Sequence, residues 1–409
     1  MAPSLVSTEG DVLQGLIADD LFGGSAAKGV GLETEMFARR IDGTAFDLRR
    51  ESPRILEAIA RELGGQCIHD TESGPRIILD DGGTITLEPA GQLEYSGRPF
   101  ADHVDAVQDT VEHIHQLDVA LRRTGLRVEL AAYDSRRADP PLVVTKPRYQ
   151  AMDAYFERIG PFGRMMMRRT CALQINVDFG SSGVDRERWR LANMITPALN
   201  AFFANSQHDH GGETFKSFRY EIWRRVDPTR TGRFIERSDV DPSVEYTRFA
   251  LDAGVMMARR GGTMLLPPPY MTFRRWMSQG WEGDFPDVDD WQRHLGTLFP
   301  DVRPKGWMEI RAVDAQPLGM IGPVVAMTVA VLSDSSLRRR LLDRLQAMPR
   351  RGCSVPDNVS IQEADLATGV GIARLAAEGV DHTPYRRALV DHIERVRSSR
   401  GLQAVIPKL

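Results

Sequence analysis

The stretch Arg169–Asp178, Arg-Thr-Cys-Ala-Leu-Gln-Ile-Asn-Val-Asp, constrains the fold of this chain more than any other. Leu173, Ile175 and Val177 alternate with Gln174, Asn176 and Asp178. That alternation predicts a β-strand with one apolar and one polar face. The polar face carries two amides and an acid in succession. Such a face fits an edge strand with a wet side, and it also fits a strand whose polar side lines a cavity for metal ions or phosphates.

Three more segments repeat the pattern. Val30–Phe37 places Glu33 and Glu35 on one side and Leu32, Thr34 and Met36 on the other. Leu87–Ser96 places Gln92 with Glu94, and Glu88 precedes a Pro/Gly turn. Gly306–Asp314 places Glu309 with Arg311. Neighbouring carboxylates repel unless a cation sits between them or one takes a proton. Glutamate and amide oxygens are hard ligands of the kind Mg²⁺ prefers, and Mg²⁺ suits the phosphates of ATP. There is no Walker A motif, no kinase glycine loop and no GxGxxG after a strand. An ATP site in this chain is therefore expected on a carboxylate-lined antiparallel sheet.

The rest of the chain is punctuated mainly as helices. Asp11–Leu21, Ser52–Leu63 (capped by Ser52, with Pro53 in the first turn and Gly64 at the end), Ala101–Thr124, Asp185–Asn205 and Asp289–Leu298 carry helical stripes or caps. Arg76–Leu79 and Thr84–Leu87 flank Asp-Asp-Gly-Gly, a hairpin signal. The apolar run Leu318–Leu332 contains Gly322 and Pro323; it is too short to span a bilayer and reads as a buried helix starting after Pro323. His103, His113 and His115 form no i, i+4 pair and read as surface residues, and His208 and His210 as part of a polar loop. Arg219, Arg224, Arg225, Arg230 and Arg233 form a cluster that fits a solvated face or an anion site.

At 409 residues and 42% hydrophobic content the chain can bury a large core. A net charge of −4 makes no case for nucleic-acid or membrane attraction. Cys67, Cys171 and Cys353 show no disulfide or zinc spacing, and the start of the chain lacks a signal-peptide pattern, so a cytoplasmic location is expected.

The motifs add a resemblance. Arg148-Tyr149, Met152, Tyr155, Gly160, Gly163, Met166-Met167, Arg169-Thr170-Cys171 and Gln174–Asp178 resemble the glutamate–cysteine ligases of plants and proteobacteria. So do Leu87-Glu88-Pro89 with Gln92, Glu94 and Ser96; Phe203–Ser206; Arg219 with Ile222-Trp223; Asp227–Gly232; Met271–Phe273; Trp291 with His294-Leu295; Phe299-Pro300; and Glu309-Ile310-Arg311. These matches keep their order from about residue 30 to 335.

The resemblance implies an α+β fold: a curved antiparallel β-sheet funnel with surrounding helices, similar to the catalytic part of glutamine synthetase. It also implies a single catalytic domain over 1–409, with a core of about 28–335 and a helical part from 335 to 409. The implied activity is ATP-dependent ligation of the γ-carboxylate of L-glutamate to an amine, usually that of L-cysteine, through a γ-glutamyl phosphate. The implied cofactors are ATP and Mg²⁺. The implied metal residues are Glu33, Glu35, Glu88, Glu94, Gln174 and Glu309. Arg148, Met166, Met167, Arg169, Cys171 and Arg219 would hold substrate, and Asn176, Arg230 and Arg311 would hold nucleotide. Arg311, Arg219 and Glu309 would act in catalysis, and no covalent cysteine is required.

Three departures bear on the acceptor. Thr145-Lys-Pro-Arg-Tyr149 stands where the family tends to have Pro-Lys-Gly-Arg-Tyr, Ala172 stands for Thr, and the loop 207–213 differs. A ligase for another amine is the alternative reading, and a silent binding protein of the same fold the next. Oligomeric state is not legible in the sequence.

Overall fold

The computed structural model describes residues 10–23, 29–44, 46–70, 74–181, 183–232, 240–347, 360–380 and 383–400. Arg233 and Cys353 lie outside them.

Ala172–Val177, within the stretch Arg169–Asp178, forms an interior strand of the main sheet. In chain order the strands are β1 (Val30–Arg40), β2 (Gly65–Ile68), β3 (Arg76–Leu79), β4 (Thr84–Leu87), β5 (Leu93–Ser96), β6 (Leu126–Glu129) and β7 (Ala172–Val177). They continue as β8 (His208–His210), β9 (Glu213–Phe215), β10 (Ala258–Arg260), β11 (Thr263–Leu265), β12 (Val302–Pro304) and β13 (Met308–Asp314). Nine strands make one open sheet in the order β12-β13-β7-β1-β5-β4-β3-β2, with β6 paired to β1. Every pairing is antiparallel. Strands β8–β9 and β10–β11 form separate two-stranded ladders.

Alternation decides which side is covered. Leu32, Met36, Leu93, Tyr95, Leu173, Ile175, Val177 and Ile310 are buried on one face, in a core shared with the helices His103–Arg122, Val184–Phe202 and Leu318–Ser333. The C-terminal helices Ser360–Gly379 and Arg386–Arg400 join the same core through Leu366, Val370, Leu389 and Ile393. A second apolar cluster contains Met152, Tyr155, Met166, Met167, Phe218 and Ile222, from the helices Pro147–Ile159, Pro161–Arg169 and Phe218–Val226. From the last of these helices Arg219 reaches the backbone of β13. Among the described residues no single helix is long and apolar enough to cross a membrane.

Two helices begin earlier than the sequence suggests, and each carries inside it the proline expected at its start. The helix Leu48–Leu63 is capped by Asp47 and contains Pro53. A proline there leaves the carbonyl four residues back without its N–H, and the Ser52 hydroxyl instead donates to Arg49 O at 3.2 Å. Ser52 is therefore not the cap. Similarly, the helix Leu318–Ser333 starts at Leu318 and contains Pro323.

The turn from β4 to β5 carries Glu88. It closes through Glu88 N–H to Gln92 O and Gly91 N–H to Glu88 O, each at 2.8 Å. Gly91 has φ +85°, and a Cβ there would stand 1.9 Å from Leu48 Cδ2. Gly91→Ala combines left-handed strain with a core clash and should lower unfolding stability by about 2–4 kcal/mol. Denaturant titration checks this; an unchanged midpoint would show that the turn and Leu48 yield at no cost.

Candidate active site

The polar face of the main sheet collects the acids and amides. Glu33 and Glu35 project from β1, with Gln174 opposite Glu33 and Glu94 opposite Glu35. Asn176 lies opposite both Gly31 and Glu309. Each carboxylate is held by short-range donors. Ala172 N–H donates to Glu35 Oε2 at 2.7 Å and Asn176 Nδ2 to Glu33 Oε1 at 2.9 Å. Gln174 Nε2 lies 3.5 Å from Glu35 Oε1 and 3.3 Å from Glu94 Oε2, and Thr86 Oγ1 donates to Glu94 Oε1 at 3.2 Å. Trp307 Nε1 donates to Asn176 Oδ1 at 3.0 Å, which fixes the amide so that its nitrogen faces Glu33.

The acids disturb one another. Burial, then the charges of Glu88, Glu33 and Glu35, hold the Glu94 carboxyl well above the ordinary carboxylate range. Burial, then Glu88, pushes Glu35 up to about 7. Glu88 is also raised by burial, against the pull of Lys146 and Arg311. Crowded, partly desolvated oxygens of this kind are a donor set that fits a hard divalent cation. They are not drawn into a tight trio. Among the described residues, the three metal-capable side chains whose ligand atoms all lie within 4.8 Å of one another are Asp81, Asp109 and His113. These sit around Tyr95 on the apolar side of the sheet. His113 is accordingly no open surface residue: its ring stacks on Tyr95 at 4.5 Å, and its Nε2 lies 3.0 Å from Asp81.

Toward β12 the charge reverses. Glu309 accepts from Arg303 Nε at 2.6 Å and Nη2 at 3.0 Å, from Lys305 Nζ at 3.0 Å, and from Arg311 Nη1 at 2.7 Å. Burial works to raise its carboxyl, but Arg311, Arg303 and Lys305 outweigh that and hold it well below the usual range. Glu309, expected as a metal-site residue, is in this structure the hub of three cations. The oxygen of Gln174 is likewise taken, by Arg311 Nη1 at 2.9 Å. Sequence reasoning missed Arg303 and Lys305. The signal was the cross-strand register of Arg303 with Glu309, which depends on β12.

The arginines divide into two groups. Arg219 is buried; it donates to Arg311 O at 2.8 Å and lies 3.7 Å from Asp314 Oδ1. Arg148 donates to Gly296 O. Among the described residues no acceptor meets the buried Nε of Arg148, Arg219 or Arg311. A buried unsatisfied donor costs about 1–3 kcal/mol; the Nε groups of Arg164, Arg168 and Arg397 share the condition. Arg230, by contrast, is fully buried and committed to Asp227 Oδ2 at 2.9 Å, Thr297 O at 2.7 Å and Gly254 O. It braces the wall, which corrects its placement as a nucleotide contact.

The remaining candidates line the protein's interior. Met166 and Met167 belong to the second apolar cluster. Arg169 Nε donates to Asp134 O at 2.9 Å, and its guanidinium lies 4.6 Å from the Tyr133 ring. Cys171 is buried with Phe37, Ala132 and Ala315. Burial, then Glu35, raises its thiol well above the ordinary range, the opposite of an activated nucleophile. The segment around His208 and His210 is a β-hairpin rather than a plain loop, with His208 4.9 Å from both Tyr133 and Phe218.

The sheet face thus carries crowded acids at one side and arginine and lysine side chains at the other. The model of glutamate–cysteine ligase family 2 (GCS2) matches residues 29–379, and the chain belongs to that family. The chain is 31% identical over 323 residues to the chloroplastic glutamate–cysteine ligase of Brassica juncea, covering 77% of this chain and 62% of that one. It is 30% identical over 329 residues to glutamate–cysteine ligase EgtA of Mycobacterium tuberculosis, covering 78% of this chain and 75% of that one. A solved glutamine synthase homolog is similar at 15% identity with a TM-score of 0.36, over 98% of this chain and 72% of that one.

Because Glu35 is raised from 4.5 to about 7, the folded chain binds more protons than the unfolded chain across that interval. In buffer free of divalent cations its contribution makes stability fall as pH rises through that window. Glu35→Gln keeps an acceptor for Ala172 N–H and removes the charge, so it should flatten the decline of Tm between about pH 5 and 7.5. Thermal melts of both proteins check this; parallel slopes would show that Glu35 does not carry the effect.

Proposed function

We propose that this chain joins the γ-carboxylate of L-glutamate to an amine at the expense of ATP, with L-cysteine as the first acceptor to test. The observation that carries the reading is the pairing, on one sheet face, of crowded carboxylates with unsatisfied arginine donors, in a member of the glutamate–cysteine ligase family.

A carboxylate is a poor electrophile. An oxygen of the γ-carboxylate attacks the γ-phosphorus of ATP, and the bond from that phosphorus to the ADP oxygen breaks. The amine nitrogen then attacks the acyl carbon, the carbon–oxygen bond to phosphate breaks with its electron pair, and the amine proton leaves to solvent. The products are the amide, ADP and phosphate. Glu33, Glu35, Glu88 and Glu94 would hold Mg²⁺, which supplies positive charge where carboxylate and triphosphate approach. Arg219 and Arg311 stabilise charge on the transferring phosphoryl group, and Arg148 takes the α-carboxylate or the same phosphoryl oxygens. Glu309 positions Arg311 instead of binding metal itself. A reducing cytoplasm suits this chemistry.

A second reading keeps the chemistry and changes the amine. It is favoured by Ala172, whose N–H bonds Glu35, and by the β8–β9 hairpin with His208 beside Tyr133, both at positions where the chain departs from the family pattern.

The test is ADP release with ATP, Mg²⁺ and L-glutamate against a panel of amines, with mass detection of the amide. Cysteine-dependent release with γ-glutamylcysteine as product supports the first reading, and a different winning amine supports the second. Glu94→Ala should lower turnover at least ~10²-fold while Tm stays level or rises, because a repelling charge has gone. Near-normal turnover in that variant would remove Glu94 from the site.

A further inference from the structure

Trp223 has no part in the account above, yet it stands between two of the site's arginines. It follows Arg219 by four residues on the helix Phe218–Val226, which places both on one helix face. Its ring lies 5.5 Å from the Arg219 guanidinium carbon and 5.4 Å from that of Arg311 on β13. Phe299 meets the ring edge-on at 5.8 Å. Its indole Nε1 is buried, and among the described residues it has no hydrogen-bond partner. The Nε groups of Arg219 and Arg311 share that condition.

An indole N–H can only donate. Tryptophan is kept in a buried setting where that donor finds an acceptor. Here the flanking groups are two guanidinium ions, which are also donors only. Glu309 and Asp314 engage the two guanidinium ions through their Nη groups, which leaves three buried N–H groups around one ring without an acceptor; the several acceptor oxygens of a phosphoryl group would satisfy them. The ring supports both guanidinium ions, whose Nη groups are bonded elsewhere, and leaves their Nε–H groups free to donate.

We propose that Trp223, with Arg219 and Arg311, forms an oxyanion pocket for the phosphoryl group, and that its indole N–H contacts a phosphoryl oxygen. The inference rests on the reaction proposed above for when that contact matters. The phosphoryl group loses its bond to ADP, gains one to the γ-carboxylate oxygen, and finally leaves as orthophosphate. Its non-bridging oxygens carry charge throughout, and the indole donor meets one of them.

Trp223→Phe keeps an aromatic ring beside Phe299 and both arginines and removes the N–H together with part of the indole's bulk. Two readouts separate this inference from the reaction itself. The first is the rise in melting temperature that orthophosphate adds in the presence of Mg²⁺ and ADP, read as a difference against each variant's own baseline; wild type should show it and Trp223→Phe should lose it while keeping the ADP-dependent rise. The second is turnover, where kcat should fall ~10²-fold while KM for glutamate stays within about threefold. If wild type releases no ADP with any amine but the orthophosphate increment still depends on Trp223, the pocket stands and the proposed reaction falls. The inference is overturned if wild type shows no orthophosphate increment, if Trp223→Phe keeps the increment, or if, where wild type turns over, Trp223→Phe keeps its kcat.

Discussion

Repulsion among carboxylates is the constraint around which the polar face is built. Glu33, Glu35 and Glu94 project from neighbouring strands, and Glu88 joins them from the β4–β5 turn. Left alone, such a face favours protonation or unfolding. The chain restrains it with a backbone N–H from Ala172, amides from Gln174 and Asn176, and a hydroxyl from Thr86. These neutral donors hold the acids in place without cancelling their charge. A residue of electrostatic strain therefore persists, directed at whatever cation binds.

The helical layer over this face serves the same end from the other side. Arg219 comes from a helix whose buried apolar residues, Phe218, Ile222 and Val226, anchor it in an apolar cluster. Its side chain then reaches carbonyls of β13, so sheet and helix are tied at the point where positive charge is needed. Asp314 is fixed by Ser206, Ser217 and the Asn205 N–H, at 2.7, 3.0 and 2.8 Å, and faces the same guanidinium. The arginine is thus oriented by the fold before any ligand arrives, which lowers the cost of binding one.

Much of this was legible in the sequence where a single strand carried the information. Period-two alternation is local, so Glu33/Glu35 and Gln174/Asn176 could be assigned to a common face from their own segments. What depends on a partner element was not legible. Glu309 reads as a free acid until β12 brings Arg303 and Lys305 beside it. Arg230 reads as a ligand contact until Asp227 and two carbonyls from distant loops are seen to absorb its donors. His113 reads as a surface residue until the β3–β4 turn delivers Asp81 to it. The starts of the two proline-containing helices were missed for a different reason: proline is compatible with the early turns of a helix as well as with its first position, and the sequence does not say which.

The strand order also has a consequence as a direction. Along the line from β12 through β13, β7 and β1 to β5, the side chains on the polar face pass from Arg303, Lys305 and Arg311, through the neutral amides of Asn176 and Gln174, to Glu33, Glu35 and Glu94. The sheet is in effect a polarised tray, with a cationic rim, a neutral middle and an anionic rim. A molecule with an uneven charge of its own has one favourable heading on such a surface and an unfavourable one when turned about, so the orientation of a guest is already written into the pairing of the strands.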